Sequence, residues 1–178
     1  MTFSILTVCA YNRARSVMGE LLLGRALAAA GADAAVSGAG FNSEGEPPLP
    51  ATIAALRRYD LDAVDYRSRR ITPATAAAAD LILTAERMQV IRIVGDQPDL
   101  LRRTYTFPEF VLAAEAHGPR AGRSLADWVA AIGQDRTHAT FLARPIPEIT
   151  DPAGRPDAAF RDTAAMIDDL SRRLAALL

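Results

Sequence analysis

Cys9-Ala10-Tyr11-Asn12-Arg13-Ala14-Arg15-Ser16 is the stretch whose reading decides the fold. The apolar run Phe3-Ser4-Ile5-Leu6-Thr7-Val8 precedes it, and a helical pattern begins at Val17. The octapeptide therefore reads as the turn from a buried strand into a helix N-terminus. Such a turn can wrap backbone N–H groups around a tetrahedral anion, and the helix end adds partial positive charge. Arg15 follows Cys9 after five intervening residues, and its planar fork can hold two oxygens at once. Cys9 would lie beneath the central atom as a thiolate nucleophile, stabilised by the same donors. Ser16 can donate a hydrogen bond to that thiolate. Asn12 tolerates the positive φ that a tight anion loop needs. Without an anion, the same residues read as a buried cysteine at a strand end and a solvated arginine. The strand before and the helix after favour the anion pocket.

Outward from the loop, Val17 to Ala30 has apolar residues at helical spacings and stops at Gly31. Ala34 to Ala39 then reads as a second strand, which makes a βαβ unit with a parallel sheet and a right-handed crossover. The site would lie at the carboxyl end of the first strand, where open α/β sheets bind ligands. Phe41 to Pro50 is a polar, proline-containing loop, and Thr52 to Tyr59 is a helix. Further helices are expected at Pro73–Ala79, Ala85–Val94 and Pro108–Ala116, and further strands at Leu81–Thr84 and Arg103–Phe107. Residues 117–143 are broken by glycines and proline and read as a surface insertion with one short helix, Leu125–Ile132, carrying Trp128. His117 and His138 have no second ligand at a metal-like spacing, so no metal site is expected. Asp151-Pro152 sits in a proline-rich loop, and the proline stiffens it and biases Asp151 to extended backbone. A long final helix, Ala158–Leu178, shows Phe160, Ala164, Ile167, Leu170, Leu174 and Leu177 on one stripe.

With 178 residues and a formal charge of −1, the chain reads as one domain with a real core. The balanced charge argues against a nucleic-acid partner. A single cysteine excludes an internal disulfide and suits a reducing, cytoplasmic compartment. No apolar stretch approaches the roughly 20 residues of a membrane span, and the start lacks the features of a signal peptide.

Val8-Cys9, Asn12 and Arg15-Ser16, followed by Met18 and a helix, resemble the phosphate loop of the low-molecular-weight protein tyrosine phosphatases and the related arsenate reductases. Ser37-Gly38-Ala39-Gly40 resembles the second-strand end that packs on that loop. The resemblance implies a flavodoxin-like, doubly wound α/β fold with four parallel strands ordered 2-1-3-4. It implies hydrolysis of a phosphate monoester, a phosphotyrosine protein or small aryl phosphate, through a phosphocysteine and without a cofactor. Cys9 would be the nucleophile and Asp151 the proton donor to the leaving group. Arg15 and the loop Ala10, Tyr11, Asn12, Arg13, Ala14 and Ser16 would bind the phosphoryl group. Three departures stand out. Tyr11 replaces the family's usual glycine, Ala14 stands where many members have a second cysteine, and Ala153 replaces the usual aromatic residue after Asp-Pro. Two alternatives share the pocket: a single-cysteine arsenate reductase completed by an external thiol, and a phosphate-binding module with weak turnover. Phe41 is the nearest aromatic candidate for a cleft wall, though packing within its turn suits it better.

Overall fold

A computed structural model describes residues 2–178. Strand β1 (Phe3–Cys9) is at the centre of a four-stranded sheet with β2 (Ala34–Gly40), β3 (Leu81–Thr84) and β4 (Thr104–Thr106), ordered β2-β1-β3-β4. All three pairings are parallel. The order doubles back at β1, so the chain winds both ways from the strand that ends in Cys9.

Each face of β1 enters a different core, which is why the strand reads as continuously apolar. Phe3 and Ile5 pack with α1 (Arg15–Ala29), α2 (Pro50–Arg57), α5 (Phe107–His117) and α8 (Asp157–Ala175). Leu6 and Val8 pack towards α3 (Pro73–Ala78) and α4 (Arg87–Asp96), meeting Ala76, Ala79 and Ile93. The expected stripe of α8 is observed, with Phe160, Ala164, Ile167, Leu170 and Leu174 buried against the α1 side. No helix among the described residues is long and apolar enough to cross a membrane.

Helices α1, α2 and α4 are displaced slightly from the expected bounds, and β4 ends earlier than the sequence reading. Phe107 opens α5 instead of closing β4, because Thr106 and Glu109 form a reciprocal capping box with Pro108 in the first turn. Pro98–Arg103 forms a 3₁₀ turn leading into β4. Residues 117–143 carry the expected α6 (Leu125–Ile132) and a further short helix, α7 (His138–Leu142), capped by Thr137 and Thr140. Both helices contribute to the interior. Trp128 is 1% exposed, meets the Phe110 ring edge-on at 6.3 Å, and donates its indole N–H to the Gly118 carbonyl at 3.0 Å. Phe141 is buried with Val90, Val94 and Leu101. His117 and His138 are exposed.

Candidate active site

The loop from Cys9 to Ser16 joins β1 directly to α1. Its carbonyls are turned away from the cleft and held there. The Ala10 carbonyl accepts from the amides of Phe41 and Asn42, both at 2.9 Å. The Tyr11 carbonyl accepts from the Ser43 hydroxyl. The Arg13 carbonyl accepts from the Leu49 amide and the Thr52 hydroxyl, both at 3.0 Å. Fixing these carbonyls outward leaves the loop amides to face inward, and the Asn12 amide donates to Cys9 Sγ at 3.3 Å. The N-cap of α1 is Ala14, so no side chain caps the helix, and its first turn contains no acidic residue. The N–H groups that every helix start leaves unpaired are therefore available to an anion.

Cys9 is 3% exposed and its sulfur lies 3.0 Å from Ser16 Oγ. Asn12 has φ 50°, the left-handed conformation expected of it, and is fully buried. Its Nδ2 donates to Ser16 Oγ (2.8 Å) and to the Tyr66 hydroxyl (2.9 Å), while its Oδ1 accepts from the Arg69 amide at 2.8 Å. The Tyr66 hydroxyl donates in turn to Glu20 at 2.6 Å, and Arg69 Nη2 also pairs with Glu20. Burial, with the Glu20 charge adding to it, pushes the Tyr66 phenol far above its ordinary range, so it stays a neutral donor. This network fixes Asn12, and through Asn12 and Ser16 it orients the sulfur.

The second strand supports the loop because it has no side chains where the two meet. A Cβ on Gly40 would fall 2.5 Å from the Asn12 amide nitrogen and 2.7 Å from the Tyr11 carbonyl carbon. A Cβ on Gly38 would fall 2.7 Å from the Tyr66 hydroxyl. The glycines of Ser37-Gly38-Ala39-Gly40 thus allow a backbone approach that no other residue permits.

Arg15 is 3% exposed and converges on the same cleft. Its Nη1 donates to the Glu86 carboxylate and to the Ile149 carbonyl (3.0 Å), and its Nη2 to Asp151 Oδ2 at 2.8 Å. Its Nε is buried without a partner among the described residues. Buried donors are seldom left unpaired in folded proteins. Cys9, Arg15, Asp151, Tyr11, Leu49 and Ala153 all line one cleft of about 200 Å³. The structure therefore brings together residues 136 positions apart, Arg15 and Asp151. Tyr11 is 52% exposed at the rim, and Arg13, half-buried, also lines the cleft. Ala14 is buried beneath it. Phe41 does not line this cleft. It stacks on the Arg92 guanidinium at 3.9 Å, which is the turn-packing role. Leu49, at the N-cap of α2, supplies the apolar wall instead.

Sequence reasoning missed Glu86, Glu20, Tyr66 and Arg69. A signal existed for Glu86, because Glu86 and Gln89 form a capping box at the start of α4. Nothing local marks the other three as site residues, since their value comes from positions 46 to 57 residues apart in sequence.

A loop carrying Cys9 and Arg15 at the carboxyl end of the central strand of a 2-1-3-4 sheet makes a candidate oxyanion site. The model of the low molecular weight phosphotyrosine protein phosphatase family matches residues 4–118, well over half of the chain, and the chain belongs to that family. No curated protein matches it. Among solved structures, the fold is similar to the YwlE arginine phosphatase of Geobacillus stearothermophilus, with 23% identity, coverage of 98% of this chain and 91% of that one, and a TM-score of 0.73. It is similar to the low molecular weight protein tyrosine phosphatase of T. tengcongensis, with 24% identity, 99% of each chain covered and a TM-score of 0.75. It is also similar to the tyrosine phosphatase Wzb of Escherichia coli K30 in complex with sulphate, at 24% identity over 99% and 98% of the chains and a TM-score of 0.70.

Proposed function

We propose that this phosphatase hydrolyses aryl phosphate monoesters, phosphotyrosine being the natural substrate class, through a phosphocysteine intermediate. The observation that supports it best is that Cys9, Arg15 and Asp151 line one cleft, with Arg15 paired to Asp151. In the first step Cys9 Sγ attacks phosphorus and forms the S–P bond as the bond to the ester oxygen breaks. Asp151 gives its proton to that oxygen, so a neutral phenol leaves. In the second step Asp151, now a carboxylate, takes a proton from water as its oxygen attacks phosphorus. The S–P bond breaks, which returns the Cys9 thiolate and releases inorganic phosphate. Arg15 and the loop amides hold the equatorial oxygens throughout, where negative charge is spread in the transition state.

The cleft above the loop favours a neutral, planar leaving group. Its rim offers the Tyr11 ring and Leu49, and Arg13 adds positive charge. A phosphoguanidinium, the substrate type suggested by the arginine phosphatases similar in fold, would meet Asp151 as well as Arg13, so the preference rests on the apolar rim of Tyr11 and Leu49. Arsenate has the tetrahedral shape this pocket holds, but its reduction leaves Cys9 needing an external thiol, since the chain has no other cysteine. One preparation assayed on phosphotyrosine peptide, phosphoarginine and thiol-coupled arsenate tests the proposal. Phosphotyrosine turnover should exceed both others by at least about tenfold in kcat/KM. Faster arsenate or phosphoarginine turnover would overturn the proposed substrate class. Oxyanion binding without turnover would leave only a binding module.

A further inference from the structure

Asp151 lies beyond residues 4–118, where the family model matches, and its segment is anchored on residues inside that range. Residues 144–151 form a strap over the sheet end. It is tied by the Thr106 hydroxyl to the Pro147 carbonyl (2.7 Å), by the Ile149 amide to the Ala85 carbonyl (2.8 Å), and by Glu148 to the Arg87 amide (2.7 Å). Arg87 also reaches the strap with its side chain. Its guanidinium faces the carbonyls of Phe141 (3.4 Å), Leu142 (3.3 Å) and Arg144 (3.5 Å), the exposed acceptors at the end of α7. It also lies 5.1 Å from the centre of the Phe141 ring. That ring is buried against Val90, Val94 and Leu101, and Ile146 of the strap packs on the same cluster. The residue before Arg87 is Glu86, which holds Arg15. One dipeptide at the start of α4 therefore touches both the phosphate clamp and the segment carrying Asp151.

We propose that Arg87 is a positioning residue for Asp151, docking α7 and the strap on α4 so that the carboxyl group stands over Cys9. The inference rests on Asp151 being the general acid. A shift of about 1 Å in a reacting group can reduce rate on the order of a hundredfold, so the strap's docking matters mainly to proton transfer. The guanidinium serves as a cation at the last carbonyls of a helix, and a lysine ammonium can do part of that work.

Arg87→Ala, Arg87→Lys and Phe141→Leu are compared with the parent on phenyl phosphate and dinitrophenyl phosphate, each also in an Asp151→Asn background. Arg87→Ala should slow phosphocysteine formation in single turnovers of phenyl phosphate by roughly ten- to hundredfold, and of dinitrophenyl phosphate by about threefold or less, because that phenolate leaves without a proton. Arg87→Lys should recover part of the loss. Phe141→Leu should show the same pattern more weakly, and it carries the test if Arg87→Ala does not fold. In the Asp151→Asn background none of the three should slow phenyl phosphate further. Equal losses on both substrates, losses that persist without Asp151, or no loss would overturn the role of Arg87. If Asp151→Asn alone slows phosphocysteine formation from both substrates equally, the acid assignment itself falls, and the role of Arg87 with it.

Discussion

Asp151→Asn should have two effects of opposite sign, and the geometry sets both. The change is nearly isosteric, and an amide oxygen can still accept from Arg15 Nη2 or from the Ala153 amide, which now reach the two carboxylate oxygens at 2.8 and 3.1 Å. The fold should therefore survive, but the side chain can no longer give up a proton. General acid catalysis contributes about 10²–10⁴-fold, or roughly 3–5.5 kcal/mol of barrier, when the leaving group is poor. Oxyanion binding should move the other way. Arg15 faces two carboxylates, Glu86 and Asp151, so the three side chains carry a net negative charge before any phosphate enters. The Asp151 side chain is 38% exposed, so its repulsion of an arriving anion is largely screened by water. Removing it should tighten vanadate by about fivefold, the equivalent of about 1 kcal/mol at 4 Å in a water-like dielectric. Rapid-mixing single turnovers across a series of aryl phosphates, with vanadate inhibition on the same samples, measure both effects. The loss should steepen as the phenol becomes less acidic. A uniform loss across the series, or weaker vanadate binding, would refute the reasoning and reduce Asp151 to a brace for the loop.

Further outcomes follow from the same contacts. Gly40→Ala would drive a methyl group into the Asn12 amide and should cost about a hundredfold or more in both turnover and vanadate affinity, since backbone, not a pliable side chain, stands in the way. Trp128→Ala should destabilise by about 3–5 kcal/mol in denaturant melts, which would show that α6 belongs to the core. Burial pushes the Tyr105 phenol up to about 12. An unfolded chain releases that proton near pH 10, so this contribution to stability is present below about pH 10 and is lost as pH rises towards 12. Tyr105→Phe should therefore flatten the alkaline fall of the urea midpoint, and an unchanged slope would contradict the burial argument.

Much of this was legible in the sequence because the decisive contacts are local. The strand, loop and helix around Cys9 are consecutive, so periodicity and one unusual octapeptide revealed their order, and the glycines of β2 marked the close approach. The strand order 2-1-3-4 came with the family resemblance that the loop supported. What stayed hidden depends on contacts between distant segments. Glu86 looks like an ordinary helix cap until Arg15 is brought to it. Tyr66 and Glu20 look like surface residues until the chain folds them under Asn12. Helix α7 is only five residues long, and its Thr137/Thr140 cap is too short a signal to outweigh the glycines around it. Asp151 was named through the family resemblance, as an Asp-Pro pair before the last helix, but the strap that holds it was not legible.

The most direct test is a search for phosphate on the nucleophile during turnover. Asp151→Asn with dinitrophenyl phosphate is the suitable pair, because the good leaving group spares formation of the intermediate while the missing base slows its hydrolysis. Acid-quenched samples analysed by intact mass and peptide mapping should show one phosphoryl group on the peptide containing Cys9, accumulating within the first turnover and absent from Cys9→Ala. Turnover with no adduct on Cys9, a phosphoryl group on any other residue, or activity retained by Cys9→Ala would contradict the phosphocysteine mechanism.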